Sequence, residues 1–383
     1  MAVIRNRAKI GGKVRTGQKS GTASAYAAGQ RSGLALGFAH GRWQGLCEAV
    51  IQKSAGALPR RAATVLFVTS GKGFPYSPLD EAVQLSLLGL AERVIVASPK
   101  DDVAGLAAAE RPDLVLVLEG MEFPPEQVAS IRLNGIRTAI WFTDDPYYTD
   151  ITSGLAPCYD YVFTLENNCV PYYQQLGCPR VHYLPLGVFP EYFRPRNPQL
   201  SLRGDVCFIG SAYWNRVDFF SRLLPYIEHR SFHLSGIWWD RLPEYKRWKD
   251  RIQLDRWMTP LETAEHYNAF SIVINVHRSH DDETFNRNGA KIVAQSPNPR
   301  VFEISACGTL QIVDQRSDLP LYYKPGEEIV TYDTPEDLAA KVEYYLNHEE
   351  ERQLLALRAL RRTMRDHTYA NRLHQLLEIA LAP

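Results

Sequence analysis

The stretch Asn298–Cys307, Asn-Pro-Arg-Val-Phe-Glu-Ile-Ser-Ala-Cys, is followed by Gly308 and by the β-branched run 309–313. This pattern predicts a helix that ends with Gly308 as its C′ residue and leads into a buried strand. Arg300 and Glu303 lie three residues apart, so they share one face of that helix. An arginine can bind a diphosphate in a fork, and a carboxylate can accept hydrogen bonds from both ribose hydroxyls. The stretch therefore predicts a nucleotide-sugar site made by Arg300 and Glu303, with Gly308 as a further site residue that ends the helix.

This segment resembles the donor-site helix of glycosyltransferases with two facing Rossmann-like domains, the GT-B fold. More narrowly, the pattern Arg-x-Phe-Glu-x-x-x-Cys-Gly that begins at Arg300 is similar to that of the spore-maturation CgeB-like family. The matched positions continue in order through Pro325–Ile329, Tyr344–His348, His367–Tyr369 and Arg372. The resemblance implies the GT-B fold, a nucleotide-sugar donor and no dependence on a divalent metal.

The alternative is that Arg300 and Glu303 form an ordinary solvent-exposed ion pair with no functional role. An arginine and a glutamate one turn apart contribute only a few tenths of a kcal/mol in most helices. The family resemblance favours the functional interpretation. One departure concerns Gln295, because broader GT-B relatives carry a second glutamate eight positions before the ribose-binding one. Gln295 cannot act as an acid there.

Length and composition limit the function classes. A chain of 383 residues exceeds what one core usually supports, so two domains are expected. The 43 basic and 43 acidic residues balance, which argues against a nucleic-acid binder. The six cysteines show no C-x-x-C spacing, which is typical of a reducing, cytoplasmic setting. No stretch approaches 18 apolar residues, so no membrane-spanning segment is expected.

The first 60 residues are expected to form a basic tail and a helical leader. Residues 1–23 are basic and poor in apolar side chains, which favours a disordered tail over an electrostatic tether to anionic lipid or glycan. Glycine then recurs every four residues between Tyr26 and Cys47, at about 1 kcal/mol of helix stability each. We expect residues 24–53 to pack against the body or against a second copy of the chain, as a homodimer. The alternative is a flexible, partly helical leader.

The N-terminal half is expected to form a Rossmann-like domain over residues 61–195. Thr64–Thr69 is a continuous apolar run typical of a buried parallel strand, and helical and strand patterns alternate after it. Ser70–Gly73 lacks the spacing of a phosphate-binding P-loop. A flexible loop at the acceptor site is the better interpretation.

Two aspartates follow the predicted strand 137–142. In open α/β sheets ligands bind beyond the carboxyl ends of the strands, so Asp144 and Asp145 are candidate catalytic residues. A carboxylate there could deprotonate an acceptor hydroxyl or bind sugar hydroxyls. An Asx turn or helix cap before Pro146 would use the same residue types. The pair is not an Asp-x-Asp motif, so no obligatory metal is expected.

The C-terminal half is expected to form the donor-side Rossmann-like domain, residues 196–365, after the proline-rich passage 185–198. Gly210 and Ser211 follow a predicted strand, and Arg216 lies in the first turn of the next helix. Backbone N–H groups in that context can bind a phosphate. A tight β–α turn explains Gly210 equally well.

Three further residues are site candidates. Trp238 could stack on a base, although a core position is the more common role of tryptophan. Asn275, at the polar tip of an apolar strand, could bind a sugar or phosphate. His277 begins the metal-like run 277–283, but a metal site is disfavoured because a mobile polar loop, 284–297, follows it. A loop that closes over the donor is favoured, with His277 as another catalytic candidate.

Together these patterns predict an α/β protein of GT-B architecture, in which the C-terminal helix, residues 366–383, returns to the N-terminal domain. The predicted activity is that of a metal-independent hexosyl- or N-acetylhexosaminyl-transferase. The donor would be a nucleotide diphosphate-sugar, UDP-sugar by default, and the acceptor a glycan, a protein or a small molecule. The alternatives are a non-transferring nucleotide-sugar enzyme such as an epimerase, or a catalytically silent glycan-binding or assembly protein.

Overall fold

The computed structural model describes residues 18–54 and 56–382, with side chains from residue 24 onward. Most of the predicted basic tail lies outside the described residues. The first helix, α1, spans Gln18–Ser54 and carries the whole glycine repeat. Residues 47–383 form one compact unit that contains both sheets.

The first sheet is a six-stranded parallel sheet built from continuous apolar runs. Its strands are β1 Arg61–Val68, β2 Ala91–Ala97, β3 Leu114–Leu118, β4 Arg137–Phe142, β5 Tyr161–Thr164 and β6 Val181–Tyr183. The order across the sheet is β2-β1-β3-β4-β5-β6. The connecting helices are α2 Ser77–Leu90, α3 Val103–Glu110, α4 Pro125–Leu133, α5 Thr149–Leu155 and α6 Cys169–Gln175. Buried apolar clusters cover both faces, as all-parallel sheets require.

The second sheet repeats this plan. Its strands are β7 Gly204–Ile209, β8 Phe232–Gly236, β9 Ile252–Leu254, β10 Phe270–Asn275, β11 Leu310–Asp314 and β12 Val330–Tyr332. The order is β12-β11-β10-β7-β8-β9, again parallel throughout. The helices of this half are α7 Trp214–Ile227, α8 Tyr245–Trp248, α9 Pro260–Ala269, α10 Arg300–Ala306, α11 Pro335–Asn347 and α12 Glu349–Asp366.

The last helix, α13 Tyr369–Ala380, packs on the first sheet. Its apolar face, with Leu373 and Leu376, belongs to the same buried cluster as β1 and β3. Thr368 and Asn371 form a capping box at its start. The segment that leaves the first sheet crosses the segment that leads into α13 at Gly187. A Cβ on Gly187 would lie 2.7 Å from the Thr368 carbonyl carbon. Glycine permits this close crossing of two backbones.

Helix α1 carries its glycines on open positions. A Cβ built on any of the five would meet no described atom within 4 Å: Gly29, Gly33, Gly37, Gly41 and Gly45. The packing role and the homodimer therefore stay predictions. Across the described ranges, no helix is both long enough and apolar enough to cross a membrane.

Residues 276–299, here called the crossing loop, leave β10 and contact the first-sheet half before α10 begins. The backbone N–H of Asp150 donates to the Arg287 carbonyl at 2.9 Å. The Glu166 carboxylate accepts from the N–H groups of Gln295 and Ser296, each at 3.0 Å. These hydrogen bonds join the loop to the first-sheet half, while its two ends continue into β10 and α10 of the second. The loop therefore lies where the two sheets meet, and its predicted mobility stays a prediction.

Candidate functional site

A cavity of about 380 Å³ lies between the two sheets. The first half contributes Asp144, which follows β4, and the second contributes Gly210 and Arg300, which follow β7 and begin α10. Both halves therefore present their carboxyl edges to one cleft, where open α/β sheets bind ligands. A cavity of this size suits a small-molecule substrate.

Helix α10 is set in place by polar residues beneath its first turn. Asn275 and Asn298 exchange two amide hydrogen bonds of 3.0 Å, and the Asn298 side chain also accepts from the Val301 N–H at 3.2 Å. Gly308 has a φ of +69°, the left-handed conformation predicted for its position after the helix. Arg300 and Glu303 thus project from a short helix that is fixed at both ends. Asn275, predicted to bind ligand, supports this helix instead.

His277 lines the cavity, but both of its ring nitrogens have protein partners. Nδ1 donates to Asp314 at 2.6 Å, and Nε2 accepts from the Asn298 backbone N–H at 2.9 Å. Burial lowers the pKa of His277 despite the neighbouring Asp314 carboxylate, which favours the neutral ring that this pattern requires. The geometry makes His277 a positioning residue for α10 rather than a free base.

Arg216 and Arg300 bring two guanidinium groups to the edge of β7. A Cβ on Gly210 would lie 3.1 Å from Arg300 Nη2 and 3.2 Å from Arg216 Nη1, so both guanidinium groups pack closely against this glycine. Arg216 is buried and donates to the carbonyls of Val276 and Ser211 at 3.0 and 2.9 Å. Burial, and then the charge of Arg300, lower the pKa of Arg216 to about 9.

Neither of these two guanidinium groups forms an ion pair with any residue in the described ranges. Their mutual repulsion is offset only by charges that do not form an ion pair with them, among which Asp314 acts on Arg216 and Glu303 on Arg300. A bound anion would remove it, and a diphosphate supplies oxygens for more than one guanidinium fork. Gly210, Ser211, Arg216 and Arg300 all line the cavity, as predicted for donor-site residues. Their role in donor binding stays a prediction.

Glu303 lines the cavity one turn after Arg300. Within residues 56–382 its carboxylate has no hydrogen-bond partner, so both oxygens can accept from a ligand. Burial raises the pKa of Glu303 to about 7, and the Arg300 charge opposes the rise. A carboxylate beside two cations suits a ligand that carries hydroxyls next to a diphosphate.

The two candidate aspartates differ in their surroundings. Asp145 is buried and accepts hydrogen bonds from the hydroxyls of Thr164 at 2.7 Å, Tyr173 at 2.9 Å and Thr152 at 3.3 Å. Both aspartates line the cavity, but Asp144 has no side-chain hydrogen bond in the described part of the chain. Burial raises the pKa of Asp144, opposed by the charges of Lys72 and Arg278. Asp144 is therefore the aspartate that is available to a substrate.

Two other predicted site residues do not line the cavity. Trp238 stacks on Phe285, with ring centroids 4.6 Å apart, and lies 4.5 Å from the Arg241 guanidinium. Gly308 lies behind α10, where a Cβ would meet Cys47 Sγ at 3.3 Å. The geometry gives both residues structural roles.

Trp257 and Arg278 stand out among the cavity residues that were not predicted from the sequence. Trp257, between β9 and α9, is 52% exposed and lines the cavity, so it is a better placed stacking face than Trp238. Arg278 lies in the crossing loop, with its guanidinium 4.4 Å from the Tyr213 ring and 4.5 Å from the Tyr147 ring. Arg278 belongs to the run 277–283, which the sequence analysis considered only as a possible metal site and not as a source of a cavity cation. In the described ranges no three His, Cys, Asp or Glu side chains lie close enough together to hold a metal ion.

Comparisons with known proteins agree with this geometry. A family model described as glycosyl transferase-like matches residues 216–378. The spore protein CgeB of Bacillus subtilis (strain 168) is 30% identical over 323 residues, which are 83% of this chain and 99% of that protein.

Solved structures of low sequence identity share the fold. AviGT4, a glycosyltransferase involved in avilamycin A biosynthesis, superposes with a TM-score of 0.58 at 15% identity, over 84% of this chain and 98% of its own. HepE of Anabaena, solved in complex with UDP and glucose, gives 0.56 at 10% identity, over 82% and 98%.

Two parallel Rossmann-like sheets that face one cleft, with the last helix returned to the first sheet, define a glycosyltransferase of the GT-B fold. Within that class the chain belongs to the CgeB-like family. The family and fold predicted from the sequence are confirmed. The domain boundaries, the basic tail and the leader stay predictions.

Proposed function

We propose that the chain transfers a hexosyl or N-acetylhexosaminyl group from a UDP-sugar to a glycan, a protein or a small-molecule acceptor. The observation that carries the proposal is the pair of cleft arginines without an acidic partner in the described residues, beside the open carboxylate of Glu303. A cationic pair next to a free carboxylate complements a nucleoside diphosphate, in which charged phosphates adjoin ribose hydroxyls.

Arg216 and Arg300 would bind the diphosphate and stabilise the negative charge that grows on it as the sugar leaves. Fixed charges in a water-poor cleft act strongly on a developing anion, because they need no reorganisation during the reaction. This supports transfer without an obligatory metal. Arg300 is the more exposed of the two, since Arg216 is 2% exposed and bonded to backbone carbonyls.

Glu303 would accept hydrogen bonds from the ribose hydroxyls. Uridine is the proposed base, supported by the UDP in the HepE complex, which shares only the fold with this chain. Trp257 and Met258 line the same cavity and offer an apolar surface for a base.

Asp144 would act on the acceptor side as a base towards the attacking hydroxyl, or as a ligand of sugar hydroxyls. It follows the first sheet, whereas the arginines follow the second, so donor and acceptor groups face each other across the cleft. A carboxylate whose pKa is raised by burial is a stronger base than an exposed one.

The test is calorimetry of UDP, dTDP, GDP and CDP without added metal, on the wild type and on Glu303→Ala. We expect UDP to bind best and Glu303→Ala to weaken it at least about tenfold, since hydrogen bonds to a charged group contribute roughly 1.5–3 kcal/mol. The matched control is Glu350→Ala, which changes an exposed glutamate on α12. Absence of binding by all four nucleotides would point to a silent assembly protein instead. UDP binding with no UDP release from UDP-sugar in the presence of acceptor would favour a non-transferring enzyme.

A further inference from the structure

Three arginines meet at the amino edge of the first sheet, on the side of that sheet away from the cleft. Arg61 begins β1, Arg137 begins β4, and Arg111 lies between α3 and β3. Because β1, β3 and β4 are neighbours in a parallel sheet, their amino ends lie side by side. The three arginines line a cavity of about 720 Å³, here called the amino-edge cavity. None of the described residues lines both this cavity and the cleft.

The amino-edge cavity carries an excess of positive charge. Asp113 is the only acidic residue among the described residues that line it, and its carboxylate already accepts from a backbone N–H of β1 at 2.7 Å. Arg61 pairs with the exposed Glu378 at 3.1 Å. Arg111 and Arg137 form no ion pair with any residue in the described ranges. Two of the three cations therefore lack a bound counter-ion among these residues.

Both unpaired arginines are anchored through one nitrogen and keep other donors for a ligand. Arg111 Nη1 donates to the Asn134 carbonyl at 3.3 Å. Arg137 Nη1 donates to the carbonyls of Ala380 and Ala382 at 3.1 and 2.9 Å. A guanidinium donates through all three of its nitrogens, and in the described part of the chain Nε and Nη2 of both side chains have no protein acceptor. Arg111 is exposed and Arg137 is partly exposed, so a ligand can reach both.

The backbone at Arg111 is held in a conformation that favours glycine. Arg111 follows the last residue of α3 with a φ of +48°, and its N–H donates to the Ala107 carbonyl at 3.0 Å. Left-handed residues at helix ends are most often glycine, and other residues are uncommon there. Positions of this kind cluster at functional sites, which is consistent with a ligand for the Arg111 side chain.

A second cavity, of about 780 Å³, adjoins the first and shares Arg137 with it. Its lining includes Arg180, whose guanidinium lies 5.0 Å from the centre of the Tyr161 ring and has no ion pair or hydrogen bond in the described ranges. The other charged residues of that lining, Arg132 and Asp160, pair with each other at 3.0 Å. A ligand in the amino-edge cavity can therefore extend from Arg137 towards a further unpaired cation. This favours a ligand with more than one anionic group.

We propose that the amino-edge cavity binds a free oligophosphate, which is a small molecule with two or more linked phosphate groups. Arg111 and Arg137 bind its oxygens in guanidinium forks, and Arg180 binds a further phosphate. Linked phosphates suit this edge better than a single carboxylate, because they present oxygens to more than one guanidinium group. This site does not depend on the proposed sugar transfer, since it uses neither the cleft nor its arginines.

The test is calorimetry with tripolyphosphate on the full chain, at low salt and without metal. Because an oligophosphate can also bind the cleft arginines, the titrations are made in the Arg300→Ala background. We expect tripolyphosphate to bind there, and Arg111→Gly in the same background should weaken its binding about tenfold or more, since it removes hydrogen bonds to a charged group. Glycine suits the left-handed backbone at this position, so this variant should fold at least as stably as its parent. The matched control, Arg93→Ala, removes an exposed arginine that lines neither cavity and should bind like its parent.

Arg180→Ala is the second variant and should weaken the binding of tripolyphosphate more than that of inorganic phosphate, because only the longer ligand spans both cavities. Equal tripolyphosphate binding by Arg300→Ala and its Arg111→Gly derivative would overturn the site. Arg111-dependent binding of phosphatidylglycerol vesicles, without binding of tripolyphosphate, would also overturn it, since the ligand would then be a lipid surface. Failure of UDP to bind the wild type, with Arg111-dependent tripolyphosphate binding intact, would contradict the proposed function and support this site.

Discussion

The two halves of the cleft have the same architecture but present different charged groups. Beyond the second sheet, Arg216 and Arg300 carry positive charge without an acidic partner among the described residues. Beyond the first sheet, Asp144 and Asp145 bring carboxylates to the cavity. The same position relative to a parallel sheet therefore carries different charged groups in the two halves, and the side chains at the strand ends make that difference.

We expect this difference to orient a nucleotide-sugar. In the proposed function the diphosphate would bind the second half, and the sugar beyond it would then face Asp144 across the cavity. Arg278 of the crossing loop contacts both halves, because its guanidinium lies 4.5 Å from the Tyr147 ring of the first half and 4.4 Å from the Tyr213 ring of the second. The crossing loop therefore joins the two charge environments.

The largest expected effect comes from removing a positive charge from the second half of the cleft. Arg300→Ala should lower turnover about 10²–10³-fold, as for loss of a single group that stabilises a developing anion. UDP release from UDP-sugar in the presence of acceptor measures it. Arg361→Ala, at an exposed position on α12, is the matched control and should keep full activity. Near-full turnover in Arg300→Ala would remove Arg300 from the mechanism.

The next prediction separates the two aspartates. Asp144→Asn should lower turnover about 10²-fold or more with little change in UDP affinity, because it removes the base from the acceptor side only. Asp145→Asn should instead lower the free energy of unfolding by about 1–3 kcal/mol, because its carboxylate is the buried acceptor of three hydroxyls. Turnover at saturating donor and chemical denaturation distinguish the effects. The reverse pattern would exchange the roles of the two residues.

Sequence reasoning reached the second half of the cleft more fully than the first. Arg300 and Glu303 lie on one short helix, so their spacing alone places them on one face. Phe74 follows β1 and Asp144 follows β4, and they line one cavity only because the sheet brings both strand ends to the same edge. No local pattern carries that information, so the acceptor side was seen only as Asp144, Asp145 and a loop.

One physical reason explains why the sequence alone does not settle the roles of Asn275, His277 and Trp238. A polar side chain at the tip of a buried strand has the same sequence pattern whether it meets a ligand or the next loop. Asn275 and His277 both bond to Asn298 and so help to hold α10, while the predicted role of His277, which lines the cavity, stays a prediction. Likewise, composition cannot tell the stacked Trp238 from the exposed Trp257, since only the fold determines which indole faces the cavity.

The smallest expected effect is the pH dependence of stability that comes from Glu303, a residue of the second half of the cleft. The pKa of Glu303 is raised from 4.5 to about 7 by burial, so the folded apo protein binds this proton more tightly than the unfolded chain does. The contribution of Glu303 to stability is therefore present below about pH 4.5 and is lost as the pH rises to about 7. The melting temperatures of the wild type and Glu303→Gln are measured from pH 4.5 to 8 without ligand. As the pH rises, the melting temperature of the wild type should fall relative to that of the variant.

UDP should reverse the trend, because the ionised carboxylate is the form that accepts ribose hydroxyls beside Arg300. The terminal phosphate of UDP also ionises in this range, so the affinity of both proteins should rise with pH, and the rise should be steeper for the wild type than for Glu303→Gln. The Asp144→Asn variant, altered on the opposite half, should keep the wild-type profile. A wild-type profile in Glu303→Gln would mean that another group titrates in this range and that Glu303 does not contact the nucleotide.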